Sequence, residues 1–186
     1  MKMIAAVDEK GGIGKNGGLL CHIPSDLRYF KEKTLGKPVI MGYNTLLSLP
    51  RGEPLKGRMN LILSSRCSAD AVSGFENAKL FRSAKSLFDA LGEEEKSEAF
   101  VIGGASVYRQ FIKYCDTLYV TRILKSFDAD VFFPDVDEKV WYEAEKSGVF
   151  TENGIPFCFI VYKRRSAPES FPECAEDENN NTLFHK

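Results

Sequence analysis

Asp26 is the residue around which chemistry can be organised. Pro24 and Ser25 read as the start and N-cap of a helix that Leu27 to Thr34 continue with helical spacing. At about 100° per residue, Asp26, Leu27, Phe30 and Thr34 share one arc about 100° wide, while Arg28 and Glu32 point elsewhere. A carboxylate on an apolar helix face is expected to meet a pocket and not water. A first-turn acid also complements the helix dipole, so position alone does not make it a site. Three other groups add weight. Gly103-Gly104 stands between an apolar run and a helix, where a backbone can approach a ligand and helix N–H groups can receive a pyrophosphate. Ser64-Ser65-Arg66 closes another apolar run with hydroxyls and a guanidinium suited to a second phosphate. Arg58 offers a planar fork for a carboxylate.

The elements that must position these groups alternate along the chain. Met3 to Val7 is a buried strand, and Gly11 to Gly18, with five glycines in eight residues, is expected to form a mobile loop of the kind that acts as a lid. After the Asp26 helix come a strand at Pro38 to Gly42, a short helix from about Asn44, and a strand at Met59 to Leu63. Ala84 to Leu91 reads as a helix, Gly92 to Lys96 as an acidic turn, Ala99 to Ile102 as a strand, Ser106 to Tyr114 as a helix and Thr117 to Ile123 as a strand. Strands near Tyr142 to Ser147 and Phe157 to Arg164 are joined through the turn Glu152-Asn153-Gly154. This alternation predicts an α/β fold: a central, mostly parallel twisted sheet flanked by helices, with an antiparallel C-terminal hairpin.

A chain of 186 residues suits one core. Residues 1–165 read as a single catalytic domain, and 166–186, rich in Pro, Glu, Ser and Asn, as an acidic disordered tail. The tail's five acids against one lysine leave the body with a mild positive excess within a net charge of −1, which suits a small anion better than a nucleic-acid duplex. Five scattered cysteines without CxxC spacing suggest neither a metal site nor a disulfide framework, and two distant histidines give a zinc centre or a Ser-His-Asp triad little material. The four-residue apolar run Ile4 to Val7 is too short for a signal peptide or a membrane span, so a cytoplasmic location is expected.

The motifs Ile4-Ala5-Ala6, Gly12-Ile13-Gly14, Pro24-Ser25-Asp26-Leu27-Arg28-Tyr29-Phe30-Lys31, Lys37-Pro38-Val39-Ile40-Met41-Gly42, Leu55-Lys56-Gly57-Arg58-Met59-Asn60, Val101-Ile102-Gly103-Gly104-Ala105-Ser106-Val107-Tyr108 and Phe132-Phe133-Pro134 occur in an order and spacing that resembles dihydrofolate reductase from Ile4 through Arg165. The resemblance implies reduction of 7,8-dihydrofolate to 5,6,7,8-tetrahydrofolate with NADPH. It implies that Asp26 holds the pterin and assists N5 protonation, braced by the hydroxyl of Thr121. Ile4, Ala6, Leu27, Phe30, Leu49, Leu55, Ile102 and Tyr108 would wall the folate, and Arg58 would take its glutamate carboxylate. Ala5, Ile13, Gly14, Leu19, Gly42, Tyr43, Asn44, Thr45, Leu63, Ser64, Ser65, Arg66, Ile102, Gly103, Gly104, Ala105, Ser106, Val107 and Tyr108 would contact NADPH. No metal is implied.

Four positions depart from that family's usual pattern. Leu20-Cys21 stands for Pro-Trp, removing an indole that packs beside the pterin; Tyr43 stands where a basic residue helps read the 2′-phosphate; Leu46 replaces a common tryptophan; and Val131 stands where Thr is usual. Two alternative readings share many of these features. One is a folate and NADPH binder that has lost turnover through Leu20 and Cys21. The other is a same-fold reductase of riboflavin synthesis, which needs neither the acid at 26 nor the arginine at 58.

Overall fold

In a computed structural model, residues 1–171 are described. The centre of the fold is set by four short apolar runs: β1 (Lys2–Val7), β3 (Pro38–Gly42), β4 (Met59–Leu63) and β6 (Phe100–Gly103). Sequences apolar at nearly every position are stable as strands only when both sheet faces are covered, which is the parallel arrangement. β1 lies between β6 and β7 (Thr117–Ile123), parallel to both; β3 lies between β6 and β4; and β5 (Ala78–Phe81) extends the sheet beyond β4. On the other side, β11 (Ile155–Arg164) runs antiparallel to β7, and its far edge carries β9 (Trp141–Lys146) and β10 (Phe150–Glu152). A mostly parallel sheet with an antiparallel C-terminal part is therefore the architecture.

Strand alternation divides the core between the two faces. Met3, Ala5 and Val7 of β1 join one cluster, with Leu87 and Phe88 of α3 (Ala84–Asp89) and Val107 and Phe111 of α5 (Ala105–Phe111). Ile4 turns to the opposite cluster, with Val39, Met41 and Ile102, covered by Tyr29 and Phe30 of α1 (Pro24–Thr34) and Leu46 of α2 (Tyr43–Ser48). Asp26 and Gly103 are thus carried by elements on either side of one sheet edge.

Several elements differ from expectation. Ile23, not Ser25, is the N-cap of α1; its side chain cannot cap, and Pro24 opens the helix, where its missing N–H costs nothing. The expected turn Gly92 to Lys96 runs into a helix, α4 (Glu93–Glu98), because Glu95 accepts from the Gly92 N–H at 3.0 Å and Lys96 pairs with Glu93. Asn153-Gly154, both at positive φ, joins β10 and not β9 to β11, as the mirror-image hairpin turn requires. Part of the glycine-rich segment is strand: β2 (Gly12–Gly14) pairs with β8 (Val131–Phe132).

The expected disordered tail falls largely outside the described residues. Its first six residues, 166–171, are described, and they end with Phe171 stacked on Phe88 at 4.2 Å between centroids and Glu169 paired with Lys113 at 2.8 Å.

Candidate active site

The Asp26 carboxylate occupies the wall of a small recess, about 20 Å³, formed with Ala6, Ile13, Leu19, Leu20, Cys21, Ile23 and Ile123. Every lining neighbour is apolar or a thiol, so burial dominates and raises the Asp26 carboxyl above the usual carboxylate range. Thr121, in register opposite Ala6 on the neighbouring strand, partly opposes that rise. Its hydroxyl is buried and forms no hydrogen bond of ordinary length. A buried hydroxyl without a partner beside a half-buried acid is a polar pair awaiting a donor-bearing ligand.

Ala6, Ile13 and Leu19 belong at once to this recess and to a cavity of about 1280 Å³ along the C-terminal ends of the parallel strands. The acid therefore sits at one side of a large site, which in an open α/β sheet is the usual place for a ligand. All of the residues expected to contact the dinucleotide, from Ala5 to Tyr108, line this cavity. Its floor is backbone. A Cβ at Gly103, where φ is +121°, would meet the Tyr108 ring at 3.3 Å; one at Gly104 would meet Thr45 Oγ1 at 3.3 Å, and one at Gly42 would meet Val107 Cγ2 at 3.3 Å. Side chains at these positions would fill the cradle, so glycine keeps the peptide groups accessible. Tyr108 is less available than its expected role implies: its hydroxyl donates to the Ile4 carbonyl at 2.8 Å, and burial pushes its pKa far up.

Lys15, Ser48, Cys67, Arg82, Ser83, Arg109, Gln110, Asp130 and Val131 also line the cavity and were not read from the sequence. Arg82 and Ser83 follow β5, whose four residues of mixed burial carry little periodic signal. Arg82 is held toward the Ser64-Ser65-Arg66 turn by the carbonyls of Cys67 and Ser64. Four cationic residues, Lys15, Arg66, Arg82 and Arg109, thus join hydroxyls around a space of dinucleotide size, and the residues present fit a phosphate-bearing cofactor.

The expected folate wall is distributed differently. Ala6 lines both cavities, Ile102 and Tyr108 line the large one, and Ile4, Phe30, Leu49, Leu55 and Ile102 gather in a single apolar cluster. Leu27 stands 40% exposed. Arg58 lies at the opposite end of α1 from Asp26, with its Nη1 donating to Thr34 Oγ1 at 3.0 Å and its guanidinium 5.8 Å from the centroid of the Phe30 ring. Burial and the charge of Asp26 push the Cys21 thiol pKa up, away from the thiolate.

The glycine-rich segment is fastened over the cavity by acids from the chain around β8. Asp130 accepts from the Asn16 N–H at 2.9 Å, Asp128 pairs with Lys15, and the buried Asp8 accepts from the N–H groups of Lys10, Gly12 and Phe127.

A dihydrofolate reductase family model matches residues 1–164. The chain belongs to the dihydrofolate reductase family. Dihydrofolate reductase of Bacillus subtilis is 33% identical over 172 residues, covering 91% of this chain and 98% of that protein. The Neisseria meningitidis serogroup A enzyme is 38% identical over 163 residues, covering 87% and 96%. Among solved structures, Enterococcus faecalis dihydrofolate reductase complexed with NADP(H) and RAB-propyl superposes with a TM-score of 0.73 at 30% identity, covering 89% of this chain and 96% of that one. In this chain Leu20 and Cys21 form part of the recess wall beside Asp26. Among the described residues no helix is long and apolar enough to cross a membrane.

Proposed function

We propose that this chain catalyses the NADPH-dependent reduction of 7,8-dihydrofolate to 5,6,7,8-tetrahydrofolate. The observation that carries the reading is the placement of the Asp26 carboxylate in an apolar recess that shares Ala6, Ile13 and Leu19 with the large cavity. A pterin reaching the mouth of the recess from the large cavity would present an amino group and a ring N–H to this acid, and the two-oxygen carboxylate can accept from both. Thr121 would brace the acid through its hydroxyl. The Gly42, Gly103 and Gly104 backbone and the Ser64 to Arg66 turn would hold NADPH, with Arg82 supplementing the cation that Tyr43 does not provide.

Bound there, NADPH supplies a hydride to carbon 6 of the pterin. That carbon accepts well only when N5 is protonated, so the net reaction consumes one proton for each hydride. Asp26 favours that protonation by holding negative charge against the ring in a site where apolar walls exclude bulk water. Arg58 would take the carboxylate of the glutamate tail. A monomer acting on a small molecule is the reading that goes with this function.

The purified chain mixed with dihydrofolate and NADPH should consume the reduced-nicotinamide absorbance, and Asp26→Asn should slow this most at neutral pH. Binding of dihydrofolate without oxidation would favour the inactive binder, and an undiminished rate in Asp26→Asn would remove the assigned role.

A further inference from the structure

The helix that carries Asp26 has no cap of its own. Its N-cap residue is Ile23, whose side chain offers no acceptor, so the first-turn N–H groups need a partner from elsewhere. That partner is Glu152, at the end of β10 and 127 residues away in sequence. One carboxylate oxygen accepts from the Ser25 N–H at 3.0 Å, and the other accepts from the Ser25 hydroxyl. The next residue of the same hairpin adds a second tie, with Asn153 Nδ2 donating to the His22 carbonyl at 3.2 Å. The turn between β10 and β11 therefore grips residues 22 and 25, immediately before the acid.

The same hairpin also locates Thr121. β10 pairs with β11 at Glu152 and Ile155, and β11 pairs with β7 at Phe159 and Thr121. A path of bonded contacts thus runs from Asp26 through Ser25 and Glu152, along β11, to Thr121 on β7, the residue whose hydroxyl acts on the Asp26 carboxylate. Among the described residues, the other hydrogen bond from this hairpin to the chain at the helix start is the exposed Asn153 contact.

We infer that Glu152 is a positioning residue for the reaction: by clamping Ser25 it holds the Asp26 carboxylate in its recess at a fixed distance from Thr121. This rests on the reductase reading of the site. The acid itself is well suited, since both bonds to Ser25 keep Glu152 ionised below the usual carboxylate range, helped by Arg28 and His22 nearby. Around Asp26, the titratable groups that feel its charge are Cys21, Tyr29 and Tyr108. No basic side chain contributes to its shift, so the position of the carboxylate relative to water and Thr121 decides its proton affinity.

Glu152→Ala should slow single-turnover hydride transfer about fivefold at pH 7, because small misplacements of a catalytic group have disproportionate effects on rate. The deficit should close as pH falls and the substrate brings its own proton. NADPH affinity, read by fluorescence quenching, should stay within about twofold, because none of these residues lines the large cavity. Glu152→Gln, which keeps one acceptor and the side-chain length, should lie between Glu152→Ala and the parent. Carbon-13 labelling of the aspartates gives a readout independent of turnover: in Glu152→Ala the Asp26 titration should move toward the ordinary carboxylate range as water enters the recess. An unchanged hydride-transfer rate, or a deficit equal at every pH with the Asp26 titration unmoved, would make Glu152 an ordinary helix cap and overturn the inference. Absence of NADPH oxidation in the parent chain would count against the reductase reading alone, since the carbon-13 titration still decides the clamp.

Discussion

Thr34 and Arg58 are joined in a short relay. Arg58 Nη1 donates to Thr34 Oγ1 at 3.0 Å, and that hydroxyl donates to the Phe30 carbonyl at 2.7 Å. Thr34 is completely buried, so the relay fixes one arm of the guanidinium to the last turn of the helix that begins at Asp26. Acid and arginine are thus held by opposite ends of one rigid element. Thr34→Val keeps the shape and removes the acceptor. It should raise KM for dihydrofolate about threefold to tenfold, the net size of one ordinary hydrogen bond, while kcat changes little. A pterin substrate lacking the glutamate tail should show no such change, and equal effects on both substrates would show that Arg58 does not bind the tail.

Asp26 should cost stability at neutral pH. Burial raises its folded-state pKa above the unfolded value of about 3.9, so the folded chain holds this proton more tightly than the unfolded one. The associated stability is complete below the unfolded pKa and is lost as pH rises through the folded pKa. Asp26→Asn, which cannot ionise, should be more stable than the parent at pH 7 and lose that advantage near pH 4. Urea unfolding at the two pH values measures it. An advantage of equal size at both would show that the carboxylate is not ionising in an apolar site.

The part of the site that was legible in the sequence rests on local pattern. Helical phase turned Phe30 of α1 to the core but put Leu27, which is exposed, on the same arc, and an apolar run followed by two glycines located the cradle at Gly103 and Gly104. What escaped depends on partners far away in the chain. Glu152 caps α1 across 127 residues, so Ser25 looked like the cap because it was the nearest suitable side chain. β2 is a strand only because Val131–Phe132 pairs with it, and a glycine-rich stretch carries no propensity that would announce this. Arg82 was missed with β5, since four residues of mixed burial show no clear alternation.

Asp8 gives the opposite pH behaviour to Asp26. Burial alone would raise its pKa, but the N–H groups of Phe127, Gly12 and Lys10 and the charge of Arg122 outweigh it and leave the carboxyl lowered. A lowered group contributes stability that is present above its unfolded pKa and lost as pH falls through the folded value. Asp8→Asn should therefore destabilise by about 2 kcal/mol at pH 7, with less effect in acid. Because Asp8 also ties Gly12 to Phe127, amide hydrogen exchange at those two residues should accelerate in the variant. A pH-independent loss would mean that packing, and not the charge, is what Asp8 contributes.

Phe171 lies beyond the stretch that matches the family model, yet it packs against the family's core. Its ring is 4.2 Å from that of Phe88 and 5.3 Å from that of Tyr114, and the Lys96 ammonium sits 5.4 Å from its centroid. Phe88 is almost fully buried in α3, the helix that follows Ser83 at the cavity wall, so the segment strengthens a support of the site without touching it. Phe171→Ala removes partly buried aromatic area and two ring contacts, and should cost about 1–2 kcal/mol, read as a lower urea midpoint at unchanged slope. Glu169→Gln breaks the neighbouring pair with Lys113, where both side chains are about half exposed, and should cost far less because solvent screens such pairs. NADPH affinity should be unaffected by either change. If the two variants were equally silent, the ring would not be holding this segment against the core; if Phe171→Ala also weakened NADPH binding, α3 would be transmitting the loss to the cavity through Ser83 and Ala84.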